Sequence, residues 1–404
     1  MHILLVADGR SPITRRWIRG LSVLNHKVTL ISTSSCVTPE GVENLHILPV
    51  AFSGLGGGQG SGEGIKRKRS GSLRKLVARY RRLFQKSRYV LGPLTVRFYS
   101  GRYRRLIAEI KPDLVHALRI PFEGMLASYT PPDVPLAISI WGNDLTLHGR
   151  RSAIMRRWTK QTLRRADGLI VDVQRDLRLS REWDFPGERP SLVALTSGGI
   201  DMVEMFKLRD GKPGRLKVML PEDVPLVVNP RGLRPGYVRN DIFFQSIPLL
   251  LERWPNVSFI CPSMQDQPEA MRWVERLKIS DHIRLLPYLS QEELWELFLR
   301  SQITVSLTTH DGTPNTLLEA MACGCFPIVG DIESLREWIV PGVNGLLVEP
   351  DKPQDLAEAL LLALENNTLR SKAAEINMQQ VRERAEVNLV RSQVEVFYQR
   401  LTAK

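Results

Sequence analysis

Polar and apolar positions alternate along residues 303–307, where the most informative stretch of the chain begins. This alternation is typical of a strand with one buried face. A polar loop follows, and the pattern then changes to the spacing of a helix. We expect Thr313 to cap that helix, Pro314 to take its first position and Gly324 to form its left-handed exit. Since Phe326 opens another apolar run, the stretch predicts the strand, loop, helix and strand of a parallel α/β sheet.

The same succession recurs through most of the chain. Further strands are predicted at 3–7, 27–32, 112–116, 136–141, 169–173, 192–196, 226–229, 257–261 and 283–288. Helices are predicted at 15–24, 174–181, 241–254, 291–299 and 355–364. Strands that alternate with helices indicate an α/β fold, and 404 residues are more than one typical core contains. We therefore expect two α/β domains.

The composition is that of a soluble globular protein, with 43% hydrophobic and 25% charged residues. The first residues form a predicted strand without the basic leader of a signal peptide, and no apolar run reaches the length of a membrane span. The four cysteines show no paired pattern, and Cys323 and Cys325 are too close together for an ordinary metal site. We therefore expect a cytoplasmic protein with reduced thiols and no metal.

The net charge of +13 has one main source. Residues 66–105 contain fifteen basic residues and no acidic ones, so the remainder of the chain is nearly neutral. Apolar residues recur within this segment at helical spacing, and a glycine- and serine-rich stretch at 52–64 precedes it. Such a basic amphipathic helix can lie on an anionic membrane, bind an acidic partner or cover a core with its apolar side. We expect an anionic membrane surface as its partner.

The helix that follows residue 313 has the features of an anion site. The amides of Asn315 and Thr316 lie in its first turn, where they have no partner within the helix and sit at the positive end of its dipole. Glu319 lies one turn later on the face of Asn315, so its carboxylate can accept two hydrogen bonds from a diol such as a ribose. Asp311 precedes the helix and can hold sugar hydroxyls. This arrangement suits a nucleoside diphosphate that carries a sugar.

Asp311 and Glu319 are followed by Ala-Met-Ala-Cys-Gly and a strand that contains proline. This run resembles the E-x7-E signature of family-four retaining glycosyltransferases, which have the GT-B fold. The first acidic residue is Asp where the family usually has Glu, and Thr-Pro-Asn replaces the usual Phe-Gly-x. The resemblance extends over nearly the whole chain, and it is strongest at 283–360 and weakest at 51–111.

The resemblance implies two Rossmann-like, doubly wound domains that face each other across a cleft. The first, at 1–196, would bind the acceptor and would contain a basic insertion at about 54–105. The second, at 197–385, would bind the nucleotide sugar. A C-terminal helix at 386–404 would return to the first domain.

Within the first domain, the resemblance places Gly9 beside the acceptor and the donor phosphate. His116 ends a strand where the family has a catalytic histidine, although Leu118 replaces the second histidine of the family's frequent H-x-H. Trp-Gly-Asn-Asp at 141–144 resembles the family's W-G-x-D. The residues expected to line the cleft are therefore Trp141, Asn143 and Asp144.

Within the second domain, the resemblance assigns Arg231 to the clamp on the donor diphosphate, which gains negative charge as the glycosidic bond breaks. The family's lysine five residues later is Gly236 here, so Arg234 or Arg239 is expected to supply the second cation. The predicted catalytic residues are Arg231, Asp311, Glu319 and His116. The predicted donor-binding residues are Gly9, Arg234, Arg239, Tyr288, Thr313, Asn315, Thr316, Leu317 and Glu319.

The resemblance implies a retaining hexosyltransferase that uses a UDP- or GDP-linked donor. The expected acceptor is a lipid-linked compound or a precursor of a polysaccharide or cell-envelope glycan, met on the inner face of the cell membrane. The sequence contains no Asp-x-Asp pair, so a metal-held diphosphate is not expected. A nucleotide-sugar epimerase or a phosphorylase can share the fold and stays an alternative. A basic nucleic-acid-binding module is a weaker alternative because the sequence has no recognised nucleic-acid motif, and we expect no such partner.

Overall fold

The computed structural model describes residues 1–51, 81–210, 216–221, 223–234 and 236–403. The chain forms two compact units. The first contains Met1–Gly198 together with Val390–Lys404, and the second contains Gly199–Leu389.

The first unit is built on a seven-stranded parallel sheet with the order β3-β2-β1-β4-β5-β6-β7. Its strands are β1 His2–Ala7, β2 Lys27–Ser32, β3 Asn44–Ile47, β4 Leu114–Ala117, β5 Leu136–Ile140, β6 Gly168–Val171 and β7 Ser191–Val193. Its main helices are α1 Pro12–Val23, α2 Arg81–Ile110, α3 Met125–Ala127, α4 Ala153–Arg165 and α5 Gln174–Glu182. Two π-helical turns lie at Ile120–Gly124 and Asp144–His148. The central strands are buried apart from His2, which explains their largely apolar sequences.

The second unit has a six-stranded parallel sheet with the order β10-β9-β8-β11-β12-β13. Its strands are β8 Leu226–Val228, β9 Ser258–Cys261, β10 Ile283–Leu285, β11 Ile303–Ser306, β12 Phe326–Gly330 and β13 Leu346–Val348. Its helices are α6 Met202–Asp210, α7 Asn240–Leu251, α8 Pro268–Leu277, α9 Gln291–Leu299, α10 Asn315–Ala322, α11 Glu333–Arg336, α12 Pro353–Glu365 and α13 Asn367–Ala385. The prediction of two parallel, doubly wound domains is confirmed.

Each sheet reverses its strand order once, and this reversal locates the ligand side of each unit. In the first unit the order turns between β1 and β4, and in the second it turns between β8 and β11. Ligands of doubly wound sheets bind outside the carboxyl ends of the strands at such a switch point. The loops that follow these strands are 8–11 and 118–124 in the first unit, and 229–234 and 307–313 in the second.

The last helix, α14 Val387–Thr402, joins the first unit from Val390 onward, as predicted. Its Tyr398 is fully buried and its hydroxyl accepts a hydrogen bond from Trp17 Nε1 at 3.1 Å. Glu395 Oε2 lies 2.5 Å from His26 Nε2, just after α1. These contacts stabilise the packing of the helix on α1.

The predicted basic helix is only partly described. Its predicted part at 66–80, and the glycine-rich stretch at 52–64, lie outside the described residues. From Arg81 the chain is helical to Ile110, with Pro93 inside the helix. In the part of the chain that the structure describes, no helix has the length and apolarity that a membrane crossing requires.

Candidate active site

The switch point of the second unit brings Arg231 and Asp311 together, although 80 positions separate them in the chain. Arg231 follows β8 and is 7% exposed. Its Nη2 donates to Asp311 Oδ2 at 2.5 Å. The loop that holds Arg231 is fixed by Asn229, whose Oδ1 accepts from the Arg231 amide at 3.3 Å and whose Nδ2 donates to Asn240 at 3.0 Å. The guanidinium is therefore presented in a defined orientation.

One donor of this guanidinium is unused. Arg231 Nε is buried and has no hydrogen-bond partner among the described residues. A buried cationic N–H without a partner is costly, and it is the natural partner of an anionic oxygen. Asp311 is held in turn, because Gly312 donates its amide to Oδ1 at 3.1 Å and Ser334 donates its hydroxyl to the Asp311 carbonyl at 2.8 Å.

Helix α10 begins one position later than predicted. Pro314 is its N-cap and has extended backbone angles (φ −64°, ψ 125°), so it does not occupy the first helical turn. The predicted cap Thr313 does not cap, because its hydroxyl accepts from Trp338 Nε1 at 2.9 Å. Gly324 has φ +90°, which confirms the left-handed exit.

The start of α10 lies beside the Arg231–Asp311 loop. Asn315 and Thr316 occupy its first turn, while Leu317 is buried and donates its amide to the Pro314 carbonyl at 3.0 Å. Thr316 Oγ1 is a buried atom without a partner in the described structure. Glu319 is 2% exposed. A buried carboxylate, an unused hydroxyl and a helix N-terminus therefore lie on adjoining turns.

The two candidates for the second cation differ in their surroundings. Arg239 forms ion pairs with Asp241 at 2.8 Å and with Asp351, so its charge is already neutralised. Arg234 is exposed, and its Nη1 donates a 3.4 Å hydrogen bond to the Tyr237 hydroxyl. Of the two, Arg234 is the one without a carboxylate partner among the described residues. Tyr288, another predicted donor-binding residue, is 61% exposed.

In the first unit, Gly9 and Asp8 lie at the carboxyl end of β1. Gly9 donates its amide to Ser32 Oγ at 3.1 Å, and a Cβ at this position would lie 2.4 Å from Cys36 Sγ. The glycine is therefore required by close packing. Burial would raise the pKa of Asp8, but the hydrogen bonds from Arg10 outweigh it and hold that pKa below its ordinary value.

Asp144 braces the loops around the same switch point. It is fully buried and accepts from Arg119 Nη2 at 2.6 Å, from the Ile120 amide at 3.0 Å and from the Trp141 amide at 3.3 Å. Asp144, which was predicted to line the cleft, thus holds together the loops that follow β4 and β5. Its side chain is inaccessible to solvent. Trp141 and Asn143 are partly exposed, and Arg119 lies over the Trp141 ring at 4.6 Å.

His116 lies in the core, contrary to the position expected of a catalytic residue. It is fully buried, with Nδ1 2.6 Å from the Tyr398 hydroxyl and Nε2 2.9 Å from Ser139 Oγ. Burial lowers the pKa of His116 to about 3, so the ring is neutral. Both nitrogens are engaged in core hydrogen bonds, and the predicted catalytic role finds no support in this position.

Sequence reasoning assigned no role to Glu123, which the structure places at the first switch point. It is 7% exposed, and its Oε1 accepts from the Asp8 amide at 3.0 Å. Burial, opposed by Arg119, raises the pKa of Glu123 to about 8. Its only sequence signal was its position shortly after β4. Within the described ranges, no group of three or more His, Cys, Asp or Glu residues has an arrangement that could hold a metal ion.

The two halves of the chain match two family models. Residues 8–196 match the family described as Glycosyl transferase 4-like domain, and residues 242–380 match Glycosyl transferases group 1. A D-inositol 3-phosphate glycosyltransferase of Streptomyces bingchenggensis is 27% identical over 213 residues, which are 50% of this chain and 46% of that protein. One of Nocardioides is 23% identical over 239 residues, which are 55% of this chain and 51% of that protein. The chain therefore spans about half the length of the curated relatives it matches.

Solved structures share the fold over the whole chain. A glycosyltransferase from Rickettsia africae has a TM-score of 0.69 and 15% identity, with 100% of this chain and 98% of that chain covered. Sucrose-phosphate synthase from Thermosynechococcus elongatus has a TM-score of 0.73 and 13% identity, with both chains fully covered at 100%. Anabaena HepE in complex with UDP has a TM-score of 0.65 and 16% identity, with 98% and 99% covered. These likenesses confirm the predicted GT-B fold.

Proposed function

Because the chain is built from a glycosyltransferase 4-like domain and a glycosyltransferase group 1 domain, we propose that it is a retaining glycosyltransferase that uses a nucleotide sugar. The observation that carries this proposal is the buried, unpartnered Nε of Arg231 at the switch point of the second unit. The N-terminus of α10 and the acidic residues Asp311 and Glu319 adjoin it. The cation and the helix dipole suit a diphosphate. The two carboxylates suit the hydroxyl groups of the ribose and of the transferred sugar.

In this mechanism Arg231 donates to the diphosphate, which gains negative charge as the bond to the sugar breaks. The guanidinium is already oriented by Asp311, so it needs little reorganisation when that charge develops. The Asn315 and Thr316 amides add the positive end of the helix dipole. Glu319 accepts hydrogen bonds from the ribose, and Asp311 holds hydroxyls of the transferred sugar. Because the sequence has no Asp-x-Asp pair, we propose that these groups act without a metal.

The solved neighbours support UDP-glucose as the first donor to test. Anabaena HepE has been solved with UDP and with UDP-glucose. The name of the curated relatives indicates D-inositol 3-phosphate as a first acceptor, and we add lipid-linked glycan precursors. The donor and the acceptor of this chain are therefore proposed as a nucleotide-linked hexose and a hydroxyl compound.

We further propose that α2 brings the enzyme to an anionic membrane. Its described part exposes an apolar strip that contains Leu91, Leu94 and Phe98, with Phe98 80% exposed. Arg97 and Arg102 are also exposed on this helix. Apolar side chains beside arginines match an anionic bilayer, where each basic residue contributes about 1 kcal/mol.

The decisive experiment incubates the full chain with UDP-glucose or GDP-mannose and a panel of acceptors. We expect sugar transfer that depends on the acceptor, an α-linked product by NMR, and no loss of turnover in EDTA. Epimerisation without an acceptor, or sugar release that needs free phosphate, would assign the epimerase or phosphorylase function instead. Failure of every nucleotide sugar to raise the melting temperature would refute the proposal, because a bound donor must stabilise the fold.

A further inference from the structure

Glu123 has a backbone setting that favours a functional role. It lies in the π-helical turn Ile120–Gly124, next to Phe122, which has φ +67° and ψ −44°. A phenylalanine in this region is strained, and such strain persists only where the surroundings impose it. Here Arg88 lies 5.1 Å from the centre of the Phe122 ring, and Gly92 of α2 leaves the space that the ring fills. The turn is thus held so that Glu123 reaches the end of β1.

The carboxyl group of Glu123 is only half used. Oε1 accepts from the Asp8 amide, and no hydrogen bond reaches the other oxygen from any residue that the structure describes. The side chain is nevertheless more than nine-tenths buried, at 7% exposure. The second oxygen has no protein donor in the described structure, so it is available to a hydroxyl group of a ligand.

Three more unsatisfied groups accompany it in the adjoining loops. Arg119 Nε and Trp141 Nε1 are buried donors without a partner in the described part of the chain. Asn143 Oδ1 is a buried acceptor that likewise has no hydrogen-bond partner there. The Arg119 carbonyl accepts from the Gly124 amide at 2.9 Å, which ties this residue to the Glu123 turn. Separate donors and acceptors around one position match the hydroxyl groups of a sugar or cyclitol, each of which both donates and accepts.

The charges around Glu123 favour its protonated form. Asp8 approaches from the loop after β1, Asp144 from the loop after β5, and Arg119 and Arg88 provide the neighbouring cations. Asp8 is paired with Arg10, and Asp144 is paired with Arg119. Arg119 is already paired with Asp144, and no ion pair of Glu123 itself offsets its burial among the described residues. A protonated carboxyl can donate where a carboxylate cannot.

Resting on the proposed function, we propose that Glu123 is an acceptor-binding residue that, as a neutral carboxylic acid, donates a hydrogen bond to a hydroxyl of a sugar or cyclitol acceptor. Arg119, Trp141 and Asn143 contribute the remaining hydrogen bonds. Oε1 stays on the Asp8 amide and fixes the orientation of the acid. Glu123 takes no proton from the acceptor in this role.

The test compares wild type with Glu123→Gln and Glu123→Ala in the full chain. The glutamine keeps an acceptor for the Asp8 amide and a donor for the ligand, so it imitates the neutral acid; the alanine removes both. UDP-glucose is the donor, and D-inositol 3-phosphate, glucose and glycerol are the acceptor probes. Infrared difference spectra between wild type and Glu123→Gln at neutral pH report directly whether the carboxyl is protonated.

We expect Glu123→Gln to keep acceptor kcat/KM within about threefold of wild type, and Glu123→Ala to lose roughly tenfold or more. Wild-type acceptor kcat/KM should fall above pH 8, whereas that of Glu123→Gln should not. Affinity for UDP-glucose should be unchanged in both variants, which also verifies folding. An ionised carboxyl in the infrared spectrum, or equal damage by both substitutions, would overturn the proposal. If no probe accepts sugar even in wild type, the proposed function fails, while the infrared result still decides the state of Glu123.

Discussion

Replacing Arg231 with alanine tests the centre of the proposed mechanism. The change removes a cation that is 7% exposed and leaves its partner Asp311 without an ion pair. A hydrogen bond to a charged group contributes about 1.5–3 kcal/mol, and a preorganised donor to a developing anion contributes about 100- to 1,000-fold in kcat. We therefore expect kcat to fall about 100- to 1,000-fold.

Donor affinity should change less than turnover. In the proposed site the α10 amides and a second cation hold the diphosphate in the ground state as well, and the variant leaves Asp311 beside it without its cation. We expect the dissociation constant for UDP-glucose to rise about tenfold at most. Arg231→Lys should lie between wild type and alanine, because lysine keeps the charge but cannot bind Asp311 and the diphosphate at once through separate N–H groups of a planar guanidinium.

The assay separates these effects by calorimetry for donor binding and by single-turnover kinetics for chemistry. Arg253 provides the matched control, since it is an arginine of the same unit that is paired with Glu358 at 2.7 Å on the surface. Arg253→Ala should leave kcat and donor affinity unchanged. Turnover within twofold of wild type in Arg231→Ala, or an equal loss in Arg253→Ala, would refute the assignment of the clamp.

Three further predictions follow from the same geometry. Glu319→Gln should weaken donor binding about ten- to a hundredfold without unfolding the chain, because an amide replaces a charged acceptor; calorimetry that finds unchanged affinity would remove Glu319 from the site. Glu123 keeps its proton in the native state up to about pH 8 but loses it near 4.5 when unfolded, so the free energy of unfolding of wild type should decrease as pH rises between these values. The decrease in wild type should reach roughly 5 kcal/mol at most, and Glu123→Gln should lack it; urea-unfolding profiles with the same pH dependence in both proteins would contradict this prediction. The double variant Leu94→Ser, Phe98→Ser should co-sediment less with anionic vesicles, with no change on neutral vesicles. Val396→Ser, which changes an exposed valine of α14, is the control. Equal recovery of all proteins on both lipids would exclude the membrane role.

The elements that could be predicted were those whose signals are local. The succession around α10 was found because a strand pattern, a proline and a left-handed glycine lie within 30 positions, and Gly324 has the expected φ. Ser290 caps α9 through a complete capping box with Glu293, as the Ser-x-x-Glu spacing indicates. The start of α10 was missed by one residue because Trp338 engages the Thr313 hydroxyl. No local pattern reports a partner 25 positions away.

The surroundings of the side chains in the first unit were harder to predict, because they are set by backbone conformation and by contacts between distant parts of the chain and not by a local sequence motif. Phe122 adopts a left-handed angle that its side chain disfavours, and packing against α2 is what imposes it. The sequence pattern predicted a catalytic role for His116. In the structure its Nδ1 forms a hydrogen bond with Tyr398, which lies 282 positions further along the chain. A strand-end histidine has the same sequence signature in a site and in a core, so only tertiary structure could separate the two.

The two switch points share one arrangement that no stretch of sequence contains. Arg119 is bound through Nη2 to Asp144 at 2.6 Å, and Arg231 is bound through Nη2 to Asp311 at 2.5 Å. In both arginines Nε is buried and has no partner among the described residues. The aspartates differ, however: Asp144 is fully buried and bound by two backbone amides, whereas the Asp311 side chain is 17% exposed. An inaccessible aspartate can only orient its arginine, while an accessible one can also meet a ligand. Asp144 therefore only orients its arginine in the first unit, whereas Asp311 can itself be part of the proposed donor site in the second.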